Sequence, residues 1–315
     1  MSQRFDGARA GQSAGQARSA TFTAFGLASE AEPLAPGLHV VATPIGNLRD
    51  VTIRALATLA AADAVLAEDT RVTRTLLAHY GITTPLVAYH EHSGEAVRER
   101  VVGRLRAGEA LALVSDAGTP LVSDPGYKLV QAAIEAGIAI TPVPGPSAVT
   151  TALVAAGLPT DRFFFEGFLP AKAGARRNRL EALAQVPGTL VLFESPHRLP
   201  EMLSDAAAVL GPERPAAVTR ELTKFYETVR RDTLGSLSER FGSEGPPKGE
   251  IVVVIGAAVA PERAVEGDEA LDAAIRAALA RHSIKDAATL VADETGQPRR
   301  LVYTRALALA RAGGE

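Results

Sequence analysis

Apolar positions along this chain fall into two alternating kinds of stretch. Short runs without strict alternation stand at Leu38 to Ala42, Ala64 to Ala67, Leu86 to Tyr89, Ala110 to Val114 and Ile138 to Val143. Between them apolar residues recur at helical spacing: from a cap at Asp50 to Ala61, then over Arg71 to His79, Ala96 to Ala107 and Gly126 to Ala136. Such runs predict strands buried on both faces, and strands separated by helices predict βαβ units around a largely parallel sheet. Open sheets of this kind hold ligands beyond the C-terminal ends of their strands.

Pro142, Pro144, Gly145 and Pro146 interrupt the series before a helical stretch from Ser147 to Ala156. A second series follows, with strand signals at Phe163 to Phe165, Thr189 to Phe193, Ala216 to Thr219, Phe225 to Arg231 and Ile251 to Ile255. Only two helical patterns of good length lie among them, Ala175 to Gln185 and Pro200 to Leu210. Strand signals so close together predict antiparallel pairing, hence a mixed sheet. Three more helical patterns close the chain: Glu269 to Arg281, Lys285 to Glu294 and Arg299 to Arg311. Ser283 stands three residues before Asp286 as a cap, Gly296 suits a left-handed stop, and Pro298 suits a first turn. The expected division is a disordered tail (1–36), an N-terminal α/β domain (37–150), a mixed-sheet α/β domain (151–260) and a helical module (261–315). That module reads either as helix-turn-helix-like or as a plain helical cap.

Composition narrows the classes. At 315 residues the chain has room for about two domains. Its 47% hydrophobic and 22% charged content is that of a globular enzyme. No apolar stretch reaches the roughly 18 residues of a membrane span, so no membrane partner is expected. The absence of cysteine excludes disulfides, thiolate metal sites and cysteine nucleophiles. A net charge of −3 requires any nucleic-acid binding to use a local basic patch. No apolar signal core follows the early arginines, and the cytoplasm is the expected location; a transit peptide is the minor alternative.

Four loops carry candidate chemistry. Thr43-Pro44-Ile45-Gly46-Asn47-Leu48 is neither a dinucleotide fingerprint nor a P-loop. Ser115 to Gly126 packs two Asp, two Gly and two Pro into a strand-to-helix connection, where Gly admits close backbone approach and Asp116 can accept hydrogen bonds. Pro144-Gly145-Pro146-Ser147-Ala148 opens a helix, with Ser147 as a natural N-cap. Phe193-Glu194-Ser195-Pro196-His197-Arg198 and Arg220-Glu221-Leu222-Thr223-Lys224 set carboxylates, an imidazole and cations at strand ends; ion pairing among them is the plainer reading. His90 and His92 flank Glu91 without a zinc-protease spacing, and no serine-hydrolase elbow occurs, so no metal is expected.

Taken together, the runs VATPIGNLRDVTIRAL, AEDTRVTRTLL, SDAGTPLVSDPG, PVPGPSAVTTALVAAGLP, FFFEGFLP, FESPHRL, RELTKFYE and KGEIVVVI, in order from 41 to 255, resemble the ribosomal RNA small subunit methyltransferase I family. The likeness extends into SIKDAATLVADETGQPRRLVYTRAL. This family of 16S rRNA cytidine 2′-O-methyltransferases lies in the tetrapyrrole-methylase superfamily (class III S-adenosylmethionine methyltransferases). The resemblance implies two α/β domains with S-adenosylmethionine in the cleft between them, and a homodimer. It places the donor at Pro44, Gly46, Asp69, Ser115, Asp116, Ala117, Gly118, Thr119, Pro120, Leu121, Ser147, Ala148 and Phe193. The superfamily's first turn is richer in glycine and ends in an acid, from which Ala42 to Asn47 departs.

Transfer to a ribose hydroxyl calls for a proton acceptor, and Glu194, His197 and Glu221 are the candidates. Arg198 and Lys224 would hold phosphates, and Lys172, Arg176, Arg177 and Arg179, with Arg299 and Arg300, would form the RNA-facing strip; a solvated charged face is the alternative. Two rival functions stand: a methyltransferase of corrinoid or porphyrin precursors, and a ligand-sensing DNA-binding protein.

Overall fold

The computed structural model describes residues 20–90, 93–258 and 268–312. They form two compact units, divided between Ala257 and Ala258.

The first unit opens on a hairpin, β1 (Thr21–Ala24) and β2 (Leu27–Glu30), paired antiparallel. This corrects the expectation of a disordered tail for residues 20–36. Phe22 is buried in the same core cluster as Leu59, Leu76 and Tyr80, and Thr23 N–H donates to Tyr80 O at 2.8 Å. One buried aromatic and an external hydrogen bond anchor a segment that has no periodicity of its own. Residues 1–19 lie outside the described residues, as do Glu91 and His92.

Next come β3 (Gly37–Val41), α1 (Ile53–Ala61), β4 (Ala64–Ala67), α2 (Thr70–His79), β5 (Leu86–Ala88), α3 (Glu95–Arg106), β6 (Ala110–Val114), α4 (Tyr127–Glu135) and β7 (Ile140–Val143). Their sheet is parallel throughout, in the order β5-β4-β6-β3-β7. Val65 and Ala67 face α1 and α2, whereas Ala64 and Leu66 face α3 and α4, which is why β4 is apolar at every position. Thr52, not Asp50, caps α1: its side chain accepts from Ala55 N–H. The chain leaves β3 toward one edge and β6 toward the other, so a topological switch point lies between these two neighbours.

The second half holds α5 (Ala148–Ala156), β8 (Phe163–Phe168), α6 (Ala173–Leu183), β9 (Thr189–Glu194), α7 (Leu199–Leu210), β10 (Pro215–Arg220), β11 (Thr228–Thr233), α8 (Leu234–Glu244) and β12 (Ile251–Ile255). Its sheet runs β11-β10-β12-β9-β8, antiparallel except for β8 beside β9, and is therefore mixed. The strand expected at Phe225 to Arg231 begins only at Thr228, because residues 221–227 form a tight connection with Glu221 and Thr223 at positive φ. Helix α8 has no counterpart in the sequence reading; its glycine and serines dilute the apolar stripe of Leu234, Leu237 and Phe241. Helices α6, α7 and α8 cover one face of this sheet, and α5 covers the other with Val149, Ala152, Leu153 and Ala156. The boundary drawn at 150/151 thus falls inside a helix that packs on the second sheet.

The second unit contains α9 (Asp268–Leu279), α10 (Ile284–Thr295) and α11 (Arg299–Ala312), joined around Ile275, Val291 and Val302. Ser283 accepts from Asp286 N–H, and Gly296 is left-handed at φ 69°.

Candidate active site

Three loops beyond the C-terminal ends of β3, β6 and β7 are stitched together. Thr43 and Gly118 exchange both backbone hydrogen bonds, at 2.8 and 3.0 Å, and so extend the switch point into an isolated two-residue bridge. Gly118 sits at φ 84°, a conformation that costs an L side chain energy. Thr43 Oγ1 donates to Ser115 O, and Thr119 Oγ1 donates to Pro146 O, each at 3.2 Å.

A cavity of about 410 Å³ opens beside these loops. One wall is Ala117, Gly118, Thr119, Ser147, Ala148 and Val149; the other is Phe168, Phe193, Glu194, Ser195 and Leu222, with Gly249 to Val252. The Phe193 ring meets Phe165 edge-on at 4.9 Å and Phe168 at 5.7 Å, so the second wall is an aromatic shelf. Ser147 occupies the N-cap position of α5, yet its side chain makes no cap bond.

Glu194 supplies the cavity's least ordinary atom. Its side chain is 0% exposed. Oε1 accepts from Ser195 N–H at 2.7 Å and faces Arg198 Nε at 3.3 Å. Oε2 has no partner. A buried carboxylate oxygen without a partner is costly in a native fold and singles this residue out.

The residues expected around a donor divide into two sets. Ala117, Gly118, Thr119, Ser147, Ala148 and Phe193 line the cavity. Pro44, Gly46, Asp69, Ser115, Asp116, Pro120 and Leu121 stand behind it. Ser115 is buried, and Asp116 Oδ1 accepts from Asp69 N–H at 2.9 Å, tying the loop after β6 to that after β4. Asp69 caps α2 and pairs with Arg71, whose guanidinium lowers the carboxyl to about 2. A Cβ on Gly46 would stand 2.5 Å from Lys224 Cγ, so Gly46 admits the second half's loop rather than a ligand.

Among the proton-acceptor candidates, Glu221 is committed elsewhere. Its Oε1 accepts from Lys224 Nζ at 2.8 Å and from Glu250 N–H at 2.9 Å, and the lysine holds its carboxyl below the usual range. His197 is exposed and outside the lining residues. Lys224 also pairs with Glu250 at 3.2 Å, and Arg198 donates to Leu169 O at 2.6 Å.

The basic strip on α6 requires a correction. Arg176 is 2% exposed, with its Nε 2.7 Å from Asp205 of α7 and a further contact to Glu201. It is a helix-packing ion pair and presents nothing to a phosphate. Arg179 is held by both oxygens of Glu166 at 2.6 Å. Lys172, Arg177, Arg299 and Arg300 are exposed, although Arg177 leans on Asp205 at 2.6 Å.

A profile of the family Tetrapyrrole (Corrin/Porphyrin) Methylases matches residues 37–238, and one of the RsmI C-terminal HTH domain matches 265–310. "Ribosomal RNA small subunit methyltransferase I" of Mesorhizobium japonicum is 50% identical over 285 residues, covering 90% of this chain and 96% of the relative. Its namesake from Xylella fastidiosa (strain Temecula1) is 51% identical, covering 85% and 98%. The chain belongs to the ribosomal RNA small subunit methyltransferase I family. A solved uroporphyrin-III-C-methyltransferase from Thermus thermophilus superposes on the family fold with TM-score 0.50 at 25% identity, over 71% of this chain and 96% of that one. A solved diphthine synthase, at 0.56 and 19%, covers 70% and 89% and shares the fold.

The sequence reading of this family member missed Asp124. It lines the cavity, and burial pushes its carboxyl up to about 6, against an opposing hydrogen bond from Ser115 and with Asp116 adding to the rise. Its signal was its place in the same glycine- and proline-rich loop as Asp116; which of the two acids faces inward depends on the turn. Leu222 and Gly249 to Val252 were missed as well, because a strand edge bears no motif.

Proposed function

We propose that this chain transfers a methyl group from S-adenosylmethionine to the 2′-hydroxyl of a cytidine in 16S rRNA, acting on the small ribosomal subunit as a cytoplasmic homodimer. The loops after β6 and β7 with the start of α5 form one wall of the site, the second sheet forms the other, and α9 to α11 make a helix-turn-helix-like module. The observation that carries this reading is the cavity at the switch point, whose one buried, unpartnered polar atom is Glu194 Oε2. Its volume lies within the range of small-molecule sites, roughly 300–1,000 Å³.

The residues fit the donor. Backbone at Ala117 and Thr119 and the uncommitted side chain of Ser147 offer hydrogen bonds, and Phe193 offers an apolar face to a purine. The ionisable Asp124 suits a cationic ligand. A solved Thermus thermophilus uroporphyrin-III C-methyltransferase of this fold is complexed with S-adenyl homocysteine. When bound, the donor supplies an electrophilic methyl on its sulfonium. Positioning provides much of the acceleration, by effective molarities equivalent to roughly 7–11 kcal/mol. Glu194 receives the 2′-hydroxyl proton, and Arg198 stands 3.3 Å from the carboxylate oxygen that already accepts from Ser195. Lys172, Arg177, Arg299 and Arg300 meet phosphates.

The test is to incubate the protein with methyl-labelled donor and small ribosomal subunits from cells lacking the gene, with tetrapyrrole precursors and duplex DNA as parallel arms. One new ribose methyl on a 16S cytidine, seen by mass spectrometry, supports the reading. Transfer only to a tetrapyrrole, or duplex binding without transfer, refutes it.

A further inference from the structure

We infer that the connection between β10 and β11 is an RNA-gripping element, in which Phe225 and Tyr226 stack on unpaired bases and Arg230 with Lys248 holds the neighbouring phosphate. This rests on the rRNA reading above and adds residues that it does not use.

Phe225 is 93% exposed and Tyr226 is 68% exposed. Single exposed apolar residues are ordinary, but two adjacent aromatics on one loop tip are not. Their rings stand 5.0 Å apart at 89°. The loop beneath them is well tied. Thr223 N–H donates to the Glu227 carboxylate at 2.6 Å, Lys224 N–H to Glu221 O at 3.0 Å, and Glu227 N–H to Lys224 O at 3.1 Å. Arg220 donates to Tyr226 O at 3.1 Å and to Lys248 O at 2.9 Å, so it clamps the tip to the strand-entry segment before β12. Glu221 and Thr223 take positive φ, at 54° and 66°, to make the turn. A loop so constrained displays its rings instead of letting them fold back onto the sheet.

A second cavity, of about 370 Å³, lies beside the same strands on the α8 side. Arg220, Arg230 and Lys248 line it, with Glu244 as its one acid. Arg220 is occupied as described, and Glu244 pairs with Arg240 at 2.9 Å. Arg230 and Lys248 have no ion pair among the described residues, so the cleft holds two available positive charges. Pro247 and Lys248 line this cleft while the next residues, Gly249 and Glu250, line the donor cavity, and Leu222 lines that cavity from the foot of the aromatic loop. Rings, cations and cavity are therefore neighbours along one sheet end. Stacking faces beside a positive cleft are the chemistry that binds single-stranded RNA; an apolar protein partner would have no use for the paired cations.

Four variants test this on small ribosomal subunits lacking the methyl group: the double variant Phe225→Leu/Tyr226→Leu, its control Tyr226→Phe, Arg230→Ala and Lys248→Ala. Subunit affinity, kcat and KM, donor affinity by calorimetry, and sedimentation are measured for each. The leucine pair is expected to weaken subunit binding about tenfold or more, with the rise in KM and donor affinity unchanged. Tyr226→Phe retains binding. Each cation variant lowers the log–log salt slope by about 0.7 per lost phosphate contact. If wild-type protein binds subunits and the leucine pair binds equally well, this inference is wrong while the rRNA reading stands. If wild-type protein neither binds nor methylates subunits, the rRNA reading itself falls. A change of sedimentation that accounts for the lost binding would make the loop a contact between copies and overturn the assignment.

Discussion

Asp116 Oδ1 accepts a hydrogen bond from the backbone N–H of Asp69 at 2.9 Å, across two strand-end loops far apart in sequence. The acid that most invites a ligand-binding role thus holds the loop that carries Ala117 to Thr119 against the cavity. Asp116→Asn keeps an oxygen acceptor and is expected to retain donor affinity. Asp116→Ala removes the acceptor of the Asp69 N–H at a solvent-exposed position, and should cost no more than about 0.5–1.5 kcal/mol of stability, together with a loss of donor affinity. Urea denaturation and calorimetry on both variants check this; equal behaviour of Asn and Ala would count against it.

Glu194→Gln tests the proton acceptor. The amide preserves shape and can still accept from Ser195, but cannot take up a proton. Turnover is expected to fall by about 10²–10⁴-fold, with donor binding changed only slightly. Single-turnover methylation with saturating subunits provides the comparison. His197→Ala and Glu221→Gln should leave the chemical step near wild type, since neither residue lines the cavity.

Asp124 makes the site sensitive to pH. Burial lifts its folded-state value from the ordinary 3.8 to about 6, so between these limits the folded protein binds more protons than the unfolded chain. Stability should therefore decline as pH rises from about 4 to 6 and then level off. Asp124→Asn removes that decline. Ionisation of the same group favours a cation, so affinity for the sulfonium donor is expected to rise from pH 5 to pH 7 while affinity for the uncharged thioether product rises less. Parallel pH titrations of the two ligands would show whether it does.

Asp205→Ala should destabilise the fold strongly, by about 3 kcal/mol or more, because it leaves the buried Arg176 guanidinium without its nearest acid. Arg177→Ala, at an exposed position, should be nearly neutral for stability. If Arg177 meets RNA, its substitution instead lowers the salt dependence of subunit binding. Denaturant midpoints and binding isotherms at several salt concentrations separate the two roles.

The first sheet was legible in the sequence because its strands are short, predominantly apolar runs and its helices are amphipathic, signals carried by local spacing. The order of loops is local as well, which is why Ala117, Gly118, Thr119, Ser147, Ala148 and Phe193, all lining the cavity, could be singled out from motif resemblance alone. Helix α8 was not legible, since an apolar stripe thinned by Gly235, Ser236 and Ser238 has no contrast until Leu234, Leu237 and Phe241 meet the second sheet. Nor was the fate of the charges. Arg176 and Arg177 are adjacent and alike in sequence, and only the packing of α7 against α6 buries the first and leaves the second in water. Asp116 and Asp124 share one loop, and only its fold turns Asp124 toward the cavity and Asp116 toward Asp69. Periodicity and turn residues act through neighbours in the chain, so the sequence by itself determined the elements, their order and the loops that bear chemistry. Burial and ion pairing act through neighbours in space, and the tertiary structure alone decided which side chain in each loop faces the cavity.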